Sequence, residues 1–344
     1  MRFSHRKNFL FALAPFLLTL LFGTVLLLLS GANPLEAYGH LLSGAFESPR
    51  KWADIAVAMV PLVLCSSGMV ITFAAGLWNI GIEGQMIAGA LLTTWVVQQL
   101  VLPSYLLLPI CIVAGLIGGG LWGLLVGLLR THGQVNEIFG GLGLNFIATA
   151  LTNYLIFGPW KPPDGATMSG TDPFPPRAWM PLLGNTRASL VSICFAVVSL
   201  LLVYFLLRDT YWGLELKAIG LNARASHRMG INTSGNMLKA FVACGALAGL
   251  AGCFQATAVH RRLIPGISSG YGYLSILVVL LSGLKVQWVA PVVFFFGAIQ
   301  VASPRLELRM QLDSSLGGIL QTGMVLFFLL ARGFGRFENR RNVE

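Results

Sequence analysis

The sequence predicts an all-α membrane protein with about ten transmembrane helices. Hydrophobic residues make up 56% of its 344 residues and charged residues only 10%, whereas soluble domains carry roughly 25% charged residues. Its 40 glycines suit helices that pack closely in lipid. No stretch has the composition of a soluble domain, so we expect a single transmembrane domain over residues 1–344.

The number of spans follows from the spacing of the charges. About 20 mostly apolar residues cross the hydrocarbon core, and nine stretches of this order lack any charge. The third is long enough for two spans, and Gln98, Gln99, Pro103 and Pro109 mark a turn inside it, so we expect ten. The apolar run 9–29 exceeds the core of a signal peptide and predicts a retained span. The nine stretches are 8–35, 55–82, 84–129, 138–160, 188–207, 240–260, 263–284, 286–304 and 314–331.

Charge also predicts the orientation of the chain. With alternating spans, 14 of the 23 Lys and Arg residues fall on the side of the N-terminus and 9 on the opposite side. Cytoplasmic loops carry the excess of Lys and Arg, so we expect a multi-pass protein of the cell (inner) membrane with both termini cytoplasmic. The longest loop on the opposite side, 158–187, is rich in Pro, Gly and Asp, which exclude regular structure. It either contacts an external partner or simply connects two helices.

A polar segment at residues 208–236 separates two apolar stretches. Its core, GLNARASHRMGIN, predicts one short helix that Asn222 caps and Gly230 ends. Charge alone leaves two interpretations open: a docking element for a soluble partner, or a solvated loop whose basic residues fix the orientation. Small side chains would let a partner approach closely, and two arginines four residues apart share one face. The residues expected at such a docking surface are Gly220, Asn222, Ala223, Arg224, Ala225, Arg228 and Gly230.

Polar residues also interrupt the apolar stretches at two points. In GLWNIGIEGQM (76–86), glycines surround Glu83, and irregular backbone at membrane depth is tolerated only where it is buried in protein or lines a water-filled cavity. The segment is therefore either a functional site or a cytoplasmic turn in which Glu83 caps the next helix. Asn145 lies inside a span and needs a partner, which either a neighbouring helix or a polar ligand would supply.

Glycines recur every fourth residue along the fourth span and form a smooth face for helix packing. Gly245 and Gly249 repeat this spacing in the seventh span. The expected packing residues of the fourth span are Gly115, Gly119, Gly123 and Gly127.

Other classes of function find no support in the sequence. There is no GxxxxGK[ST] phosphate loop, so the chain has no ATP site of its own. The five histidines and five cysteines are isolated, which argues against a catalytic centre, a metal site and a disulfide framework. No basic run interleaves with aromatic residues, so the net charge of +10 does not indicate nucleic acid as a partner. We expect no catalytic residues, no metal and no cofactor.

Four strings of residues carry a resemblance to a known family. They are GLWNIGIEGQM (76–86), VNEI at 135–138 with LN at 144–145, LELKAIGLNARASHRMGIN (214–232) and CGALAGLAG (244–252). Together they resemble the membrane subunits of ABC importers for branched-chain amino acids, ribose and simple sugars. The string NIGIEGQ is similar to the nucleoside-type permeases in particular. The similarity covers nearly the whole chain in matching order and spacing.

The resemblance implies the ABC importer permease fold and the import of a nucleoside or related small polar solute by alternating access. It also implies a second homologous permease subunit in the same membrane lipid, ABC ATPase subunits that dock on 208–236, and an extracytoplasmic substrate-binding protein. ATP hydrolysis would belong to the ATPase, so this chain is not an enzyme. A permease for a simple sugar or an amino acid is the alternative within the class, and a stand-alone secondary transporter is the rival outside it.

One stretch departs from the family pattern. Such permeases usually carry a Gly-rich stretch with an acidic residue after the seventh span, whereas residues 265–284 contain two tyrosines and no acid. If this stretch contacts the ligand, we expect a substrate that differs from an ordinary nucleoside. The residues expected along the pathway are Trp78, Asn79, Glu83, Gln85, Asn145, Tyr271 and Tyr273.

Overall fold

The computed structural model describes residues 17–162, 170–310, 318–319, 321–323 and 325–330. Within these residues all regular structure is helical, which confirms the predicted all-α class. Six of the described helices are long and apolar enough to cross a membrane, or seven if one bent pair of helices counts as a single span. The described residues therefore confirm a polytopic protein but not the expected count of ten spans.

The described helices are numbered in chain order. They are α1 (Leu17–Leu29), α2 (Pro34–Phe46), α3 (Pro49–Ala74), α4 (Ile82–Gln99), α5 (Ser104–Thr131), α6 (Glu137–Phe157), α7 (Leu190–Asp209), α8 (Tyr211–Arg228), α9 (Thr233–Phe254), α10 (Tyr271–Leu281), α11 (Val289–Met310) and α12 (Gln321–Leu330). Short 3-10 helices lie at Pro176–Ala178 and Val286–Trp288, and a π-helical turn at Gln255–Val259 extends α9.

The start of the chain differs from the predicted single span. Helix α2 follows α1 after a bend of 114°, and the charge pattern did not predict it. Gly31 adopts a φ of +74°, and the Asn33 side chain accepts a hydrogen bond from the Leu35 N–H at 3.1 Å. A left-handed glycine followed by a capping asparagine ends one helix and starts another.

Two later predictions on span length have different outcomes. Helices α4 and α5 confirm the hairpin predicted within one long apolar stretch, because only residues 100–103 separate them. The stretch 263–284 is helical only in α10, which is 11 residues long. Pro265 and two glycines with positive φ, Gly266 and Gly270, precede α10 and keep the chain from forming a longer helix.

The described residues within Met1–Ala58 and Pro291–Glu344 form one compact unit. Within its described part, Arg305 in α11 donates a hydrogen bond to Glu47 at the end of α2. This hydrogen bond and the positive charge of Arg305 lower the pKa of the Glu47 carboxyl. None of the predicted site residues lies in this unit.

Residues Met59–Ala290 form the second unit and contain every predicted site residue. Its centre is a bundle of three helices, α4, α5 and α9, which have the most extensive mutual contacts in the described part of the chain. Helix α4 is buried along most of its length. The bundle therefore fixes the position of the first turn of α4, where several of the predicted pathway residues lie.

Glycines allow the backbones of this bundle to touch. A Cβ atom added to Gly119 would lie 2.1 Å from the Gly245 carbonyl oxygen, and one added to Gly89 would lie 2.2 Å from the Gly249 Cα. Only glycine permits such an approach, which brings many backbone atoms into van der Waals contact. The other members of the predicted face on α5, which also meet α9, are Gly115, Gly123 and Gly127.

The loop between α6 and α7 folds against the residues that follow α9 and its π-helical turn. The Thr171 N–H donates to the Leu263 carbonyl at 2.9 Å, and the Phe174 N–H donates to the Arg261 carbonyl at 2.7 Å. The Arg261 guanidinium lies over the Trp179 ring, 4.2 Å from its centroid. Apart from one 3-10 turn, the described residues of this loop are irregular, as its composition predicts.

Candidate functional site

The chain is non-helical between α3 and α4. The N–H groups of Gly76 and Leu77 donate to the carbonyl oxygens of Phe73 and Thr72, each at 3.0 Å, and Gly76 has a φ of +72°. These two bonds and the left-handed glycine end α3. The side chain of Trp78, which follows, is 43% exposed, and its ring packs edge-on against Phe73. We call the non-helical residues 75–81 the helix break.

Two buried amides hold the helix break against the first turn of α4. The Asn79 and Gln85 side chains donate hydrogen bonds to each other, at 3.0 and 3.1 Å, and neither residue is exposed. The Asn79 amide also lies 3.1 Å from the Cys244 sulfur in α9. Because each amide satisfies the other, both are buried without an unpaired polar group. In this conformation they form the framework of the break and not its surface.

Asn145 in α6 joins the helix break, α4 and α10. Its Oδ1 atom accepts a hydrogen bond from the Gly84 N–H at 2.8 Å, one of the N–H groups that the first turn of a helix leaves without a helical partner. Its Nδ2 atom donates to the Ile80 carbonyl at 2.9 Å and to the Tyr273 hydroxyl at 3.1 Å. The partners that Asn145 requires inside a span are thus supplied by neighbouring segments of the same chain.

Glu83 joins the first turn of α4 to the Gly-rich stretch before α10. The residue is 6% exposed, and its Oε1 atom accepts a hydrogen bond from the Gly270 N–H at 3.1 Å. Gly272 lies so close that an added Cβ atom would stand 2.4 Å from Oε2. The Gly-rich stretch has no acid of its own, and Glu83 brings a carboxylate to it from a distant part of the chain.

The most exposed of the predicted pathway side chains are aromatic. Tyr273 is 42% exposed, similar to Trp78, and Tyr271 is partly buried. The exposed surface of this region is therefore aromatic. The predicted polar residues of the pathway, all buried, are Asn79, Glu83, Gln85 and Asn145.

The polar segment forms α8, which Asn222 divides into two parts. Asn222 has φ −159° and ψ 97°, and its Oδ1 atom accepts a hydrogen bond from the Ala225 N–H at 3.0 Å. The cap predicted at Asn222 is therefore confirmed. Gly230, with a φ of +88°, follows the second part, and its N–H donates to the His227 carbonyl at 3.0 Å. We call residues 222–229 the α8 tip.

The α8 tip presents both charge and apolar area. Leu221, just before it, is 89% exposed, and Met229, at its end, is 84% exposed. The two arginines of the tip lie between these apolar side chains in the sequence. Among the predicted docking residues of the tip, the exposed ones are Asn222, Arg224, Ala225 and Arg228, and Ala223 is partly buried.

Asn236, near the start of α9, holds the first part of α8. Its Oδ1 atom accepts a hydrogen bond from the Trp212 indole N–H at 3.1 Å, and its Nδ2 atom donates to Glu215 Oε2 at 3.0 Å. Gly220 lies on the same part of α8 and packs against Ala74 at the end of α3. Asn236 was not among the residues predicted from the sequence. The available signal was a lone amide at the start of an apolar helix, beside a polar segment that contains a tryptophan.

Comparison with known proteins shows what this chain is similar to. Residues 52–329 match the family model described as "Branched-chain amino acid transport system / permease component". The chain is 30% identical to the glucose ABC transporter permease protein TsgB13 of Haloferax volcanii, over 92% of this chain and 86% of that protein. It is 26% identical to the guanosine ABC transporter permease protein NupP of Bacillus subtilis (95% and 93%). It is 25% identical to the nucleoside ABC transporter permease protein NupB of Lactococcus lactis (83% and 80%).

Each of these three organisms has a second permease that is also similar to this chain. These are TsgC13 in Haloferax volcanii, NupQ in Bacillus subtilis and NupC in Lactococcus lactis. Their names give the same solute class as the first permease in each organism.

Proposed function

This chain belongs to the family of branched-chain amino acid transport system permease components, and on that premise we propose that it imports a nucleoside as one permease subunit of an ATP-driven ABC importer. A permease component is a transport subunit and not an enzyme, and the chain has the apolar helices of a multi-pass membrane protein. ATP binding and hydrolysis belong to a separate ATPase subunit.

The exposed rings beside the helix break are the observation that carries the choice of substrate. Trp78 and Tyr273 offer aromatic faces on which a nucleobase can stack. Irregular backbone at membrane depth is tolerated where it is buried in protein or lines a water-filled cavity. The relatives named for guanosine and for nucleosides support the same solute class.

The buried polar residues position these rings. The Asn79–Gln85 pair fixes the residue that follows Trp78, and Asn145 donates to the Tyr273 hydroxyl. Each link is a hydrogen bond within a largely buried framework, so loosening it would leave buried polar groups unpaired. We therefore assign the rings to the surface of the pathway, and the amides and Glu83 to the framework that orients it.

We assign the α8 tip to ATPase docking. Helices α7 and α9, on either side of α8 in the chain, are both long and apolar enough to span a membrane. The tip is exposed, basic and rimmed by apolar side chains, which suits a groove on a soluble protein. ATP binding in that partner would favour one of two access states of the permease by binding one of them more tightly.

The remaining partners follow from the family and from the relatives. The paired permeases in three organisms support a second, homologous permease beside this one. An extracytoplasmic binding protein would deliver the solute on the side of loop 158–187. Both termini and the α8 tip are then cytoplasmic.

Cysteine labelling tests this orientation. The reporters are Asn185→Cys in the loop 158–187 and Ala225→Cys in the α8 tip, both at exposed positions. Exposed Cys194 is first replaced by serine. An impermeant maleimide added to intact cells should label the Asn185→Cys variant and spare the Ala225→Cys variant until the membrane is opened. Labelling of the Ala225→Cys variant in intact cells would reverse the assignment.

A sugar is the second candidate substrate, because the relative of highest identity reported above is named for glucose. Uptake into vesicles that contain the complex, purified through a tag on this chain, separates the two. We expect ATP-dependent uptake of radiolabelled guanosine that unlabelled nucleosides inhibit and glucose does not. Uptake of glucose alone would establish the sugar alternative. Uptake that persists when the ATPase is omitted would establish a stand-alone transporter.

A further inference from the structure

We propose that the contact between Gly220 in α8 and residues 74–76 at the end of α3 carries movement of the α8 tip to Trp78 in the helix break. This inference rests on the proposed function, because it concerns how an ATPase bound at the tip would change the pathway. It makes Gly220 and Gly76 positioning residues that act through Trp78.

The two segments meet backbone to backbone. A Cβ atom added to Gly220 would lie 2.2 Å from the Ala74 carbonyl oxygen and 3.1 Å from the Gly76 nitrogen. A Cβ atom added to Gly76 would lie 3.2 Å from the Gly220 Cα, and its φ of +72° already favours glycine there. Because no flexible side chain lies between them, a displacement of one backbone must displace the other.

The first part of α8 is held so that it can transmit such a displacement. Leu216 and Ile219 are buried. Trp212 and Glu215 form hydrogen bonds with Asn236 in α9. Gly220 lies two residues before the tip, whose exposed surface is available to a partner. The first part of α8 therefore acts as a lever, supported near Asn236 and resting on the end of α3.

The other side of the contact leads directly to the pathway. Trp78 is two residues from Gly76, and Asn79 is bonded to Gln85 in α4. Asn145 links the same break to Tyr273 in α10. These bonds couple any shift of residues 74–76 to both exposed rings, so the movement is not absorbed in a loose loop.

The first test replaces Gly220 by alanine in the assembled complex. The added methyl group would press on the Ala74 carbonyl and change the contact without touching the exposed surface of the tip. We expect ATP hydrolysis to persist and the ATP used per guanosine imported to rise about fivefold or more, the lower end of usual allosteric coupling. The matched control is Gly39→Ala, a helical glycine with no neighbouring atom within 4 Å, which should stay within about twofold of the wild type.

A second readout follows the helix break itself. A Trp78→Cys variant, in a background with Cys194→Ser, is labelled with a maleimide in the presence and absence of ATP and orthovanadate. With Gly220 intact, the nucleotide should change the labelling rate about threefold or more. With Gly220→Ala, the two rates should become equal. A residue that only stabilised the fold would lower the yield of protein and leave this response to nucleotide in place.

The outcomes separate this inference from the proposed function. Normal import per ATP in Gly220→Ala, or an unchanged labelling response at position 78, overturns the lever.

If Gly220→Ala does not assemble, the variants Asn236→Ala and Glu215→Gln test the lever instead. The first removes both ties to α9 and should raise the ATP used per guanosine about threefold; the second keeps an acceptor for Asn236 and should stay near the wild type. Equal ratios in that pair also overturn the lever. A wild-type complex that imports neither guanosine nor glucose with ATP contradicts the proposed function instead.

Discussion

Glycine has opposite roles in two regions of the molecule: the bundle of α4, α5 and α9, and the contact of α8 with the end of α3. In the bundle, glycines along α5 make a series of close backbone contacts with α9. Because the contacts are many, no helix of the bundle can shift alone. In α8, one glycine contact joins two segments; hydrogen bonds to Asn236 hold α8 on one side of it, and the Asn79–Gln85 pair holds the helix break on the other. The difference indicates that repeated glycines build a fixed frame, while an isolated pair placed beside a break suits a moving joint.

The largest effect is expected when the contact between α5 and α9 is overpacked. In Gly119→Ala the new Cβ would lie 2.1 Å from a carbonyl oxygen, and overpacking a core costs typically about 1–3 kcal/mol, occasionally more. We expect the purified protein to unfold at a clearly lower temperature and to aggregate in detergent. Its neighbour Gly120 meets nothing closer than 3.7 Å, so Gly120→Ala should behave as the wild type. Equal melting of the two variants would contradict close packing of α5 on α9.

Next in size is a change at the α8 tip. Ala225 is exposed outside the bundle, so Ala225→Glu should leave the thermal stability unchanged. A bulky acid in a basic docking surface opposes a partner that fits arginines. We expect nearly complete loss of ATP-driven uptake with normal amounts of the permease in the membrane. Full uptake in this variant would remove the tip from the docking surface.

A smaller effect is expected for Trp78→Ala. Base stacking on an aromatic side chain is worth roughly 1–3 kcal/mol in proteins that bind single-stranded nucleic acids, which corresponds to about five- to 150-fold in affinity. The apparent KM for guanosine uptake should rise by about that factor while the complex assembles normally. Trp78→Phe, which keeps a ring, is the control. An unchanged KM in Trp78→Ala would limit the helix break to a structural role.

The smallest effect is expected for Tyr273→Phe. The variant keeps the ring and removes the hydroxyl that accepts from Asn145, which still donates to the Ile80 carbonyl. A typical hydrogen bond contributes about 0.5–1.5 kcal/mol, so uptake should fall about two- to tenfold. A loss as large as that of Ala225→Glu would instead mean that the hydroxyl contacts the solute.

Short sequence patterns predicted the packing face of α5 and the start of the α8 tip well. The four-residue glycine period lies on the face of α5 that meets α9, and the Asn222 cap follows from its sequence neighbourhood. Both depend on residues within a few turns of one another. The family resemblance is confirmed as well, because residues 52–329 match the permease family model.

Long-range pairs could not be predicted in this way. Glu83 and Gly270 meet across 187 positions, and no periodicity marks a backbone N–H as the partner of a distant carboxylate. Helix α2 was missed because the bend at Gly31 lies within a charge-free stretch, where counting charges finds one span. Asn236 was missed because a single amide at a helix start is usually read as a cap.

One measurement tests the central claim most directly. The variants Ala225→Cys and Asn185→Cys are each coupled to a benzophenone maleimide, in a Cys194→Ser background, within the assembled complex. After illumination, the probe at position 225 should yield a product that contains this chain and the ATPase, identified by mass spectrometry. The probe at position 185 should yield none. A complex that imports guanosine with ATP, yet crosslinks to its ATPase from position 185 or from neither position, would contradict the assignment of α8 as the docking element.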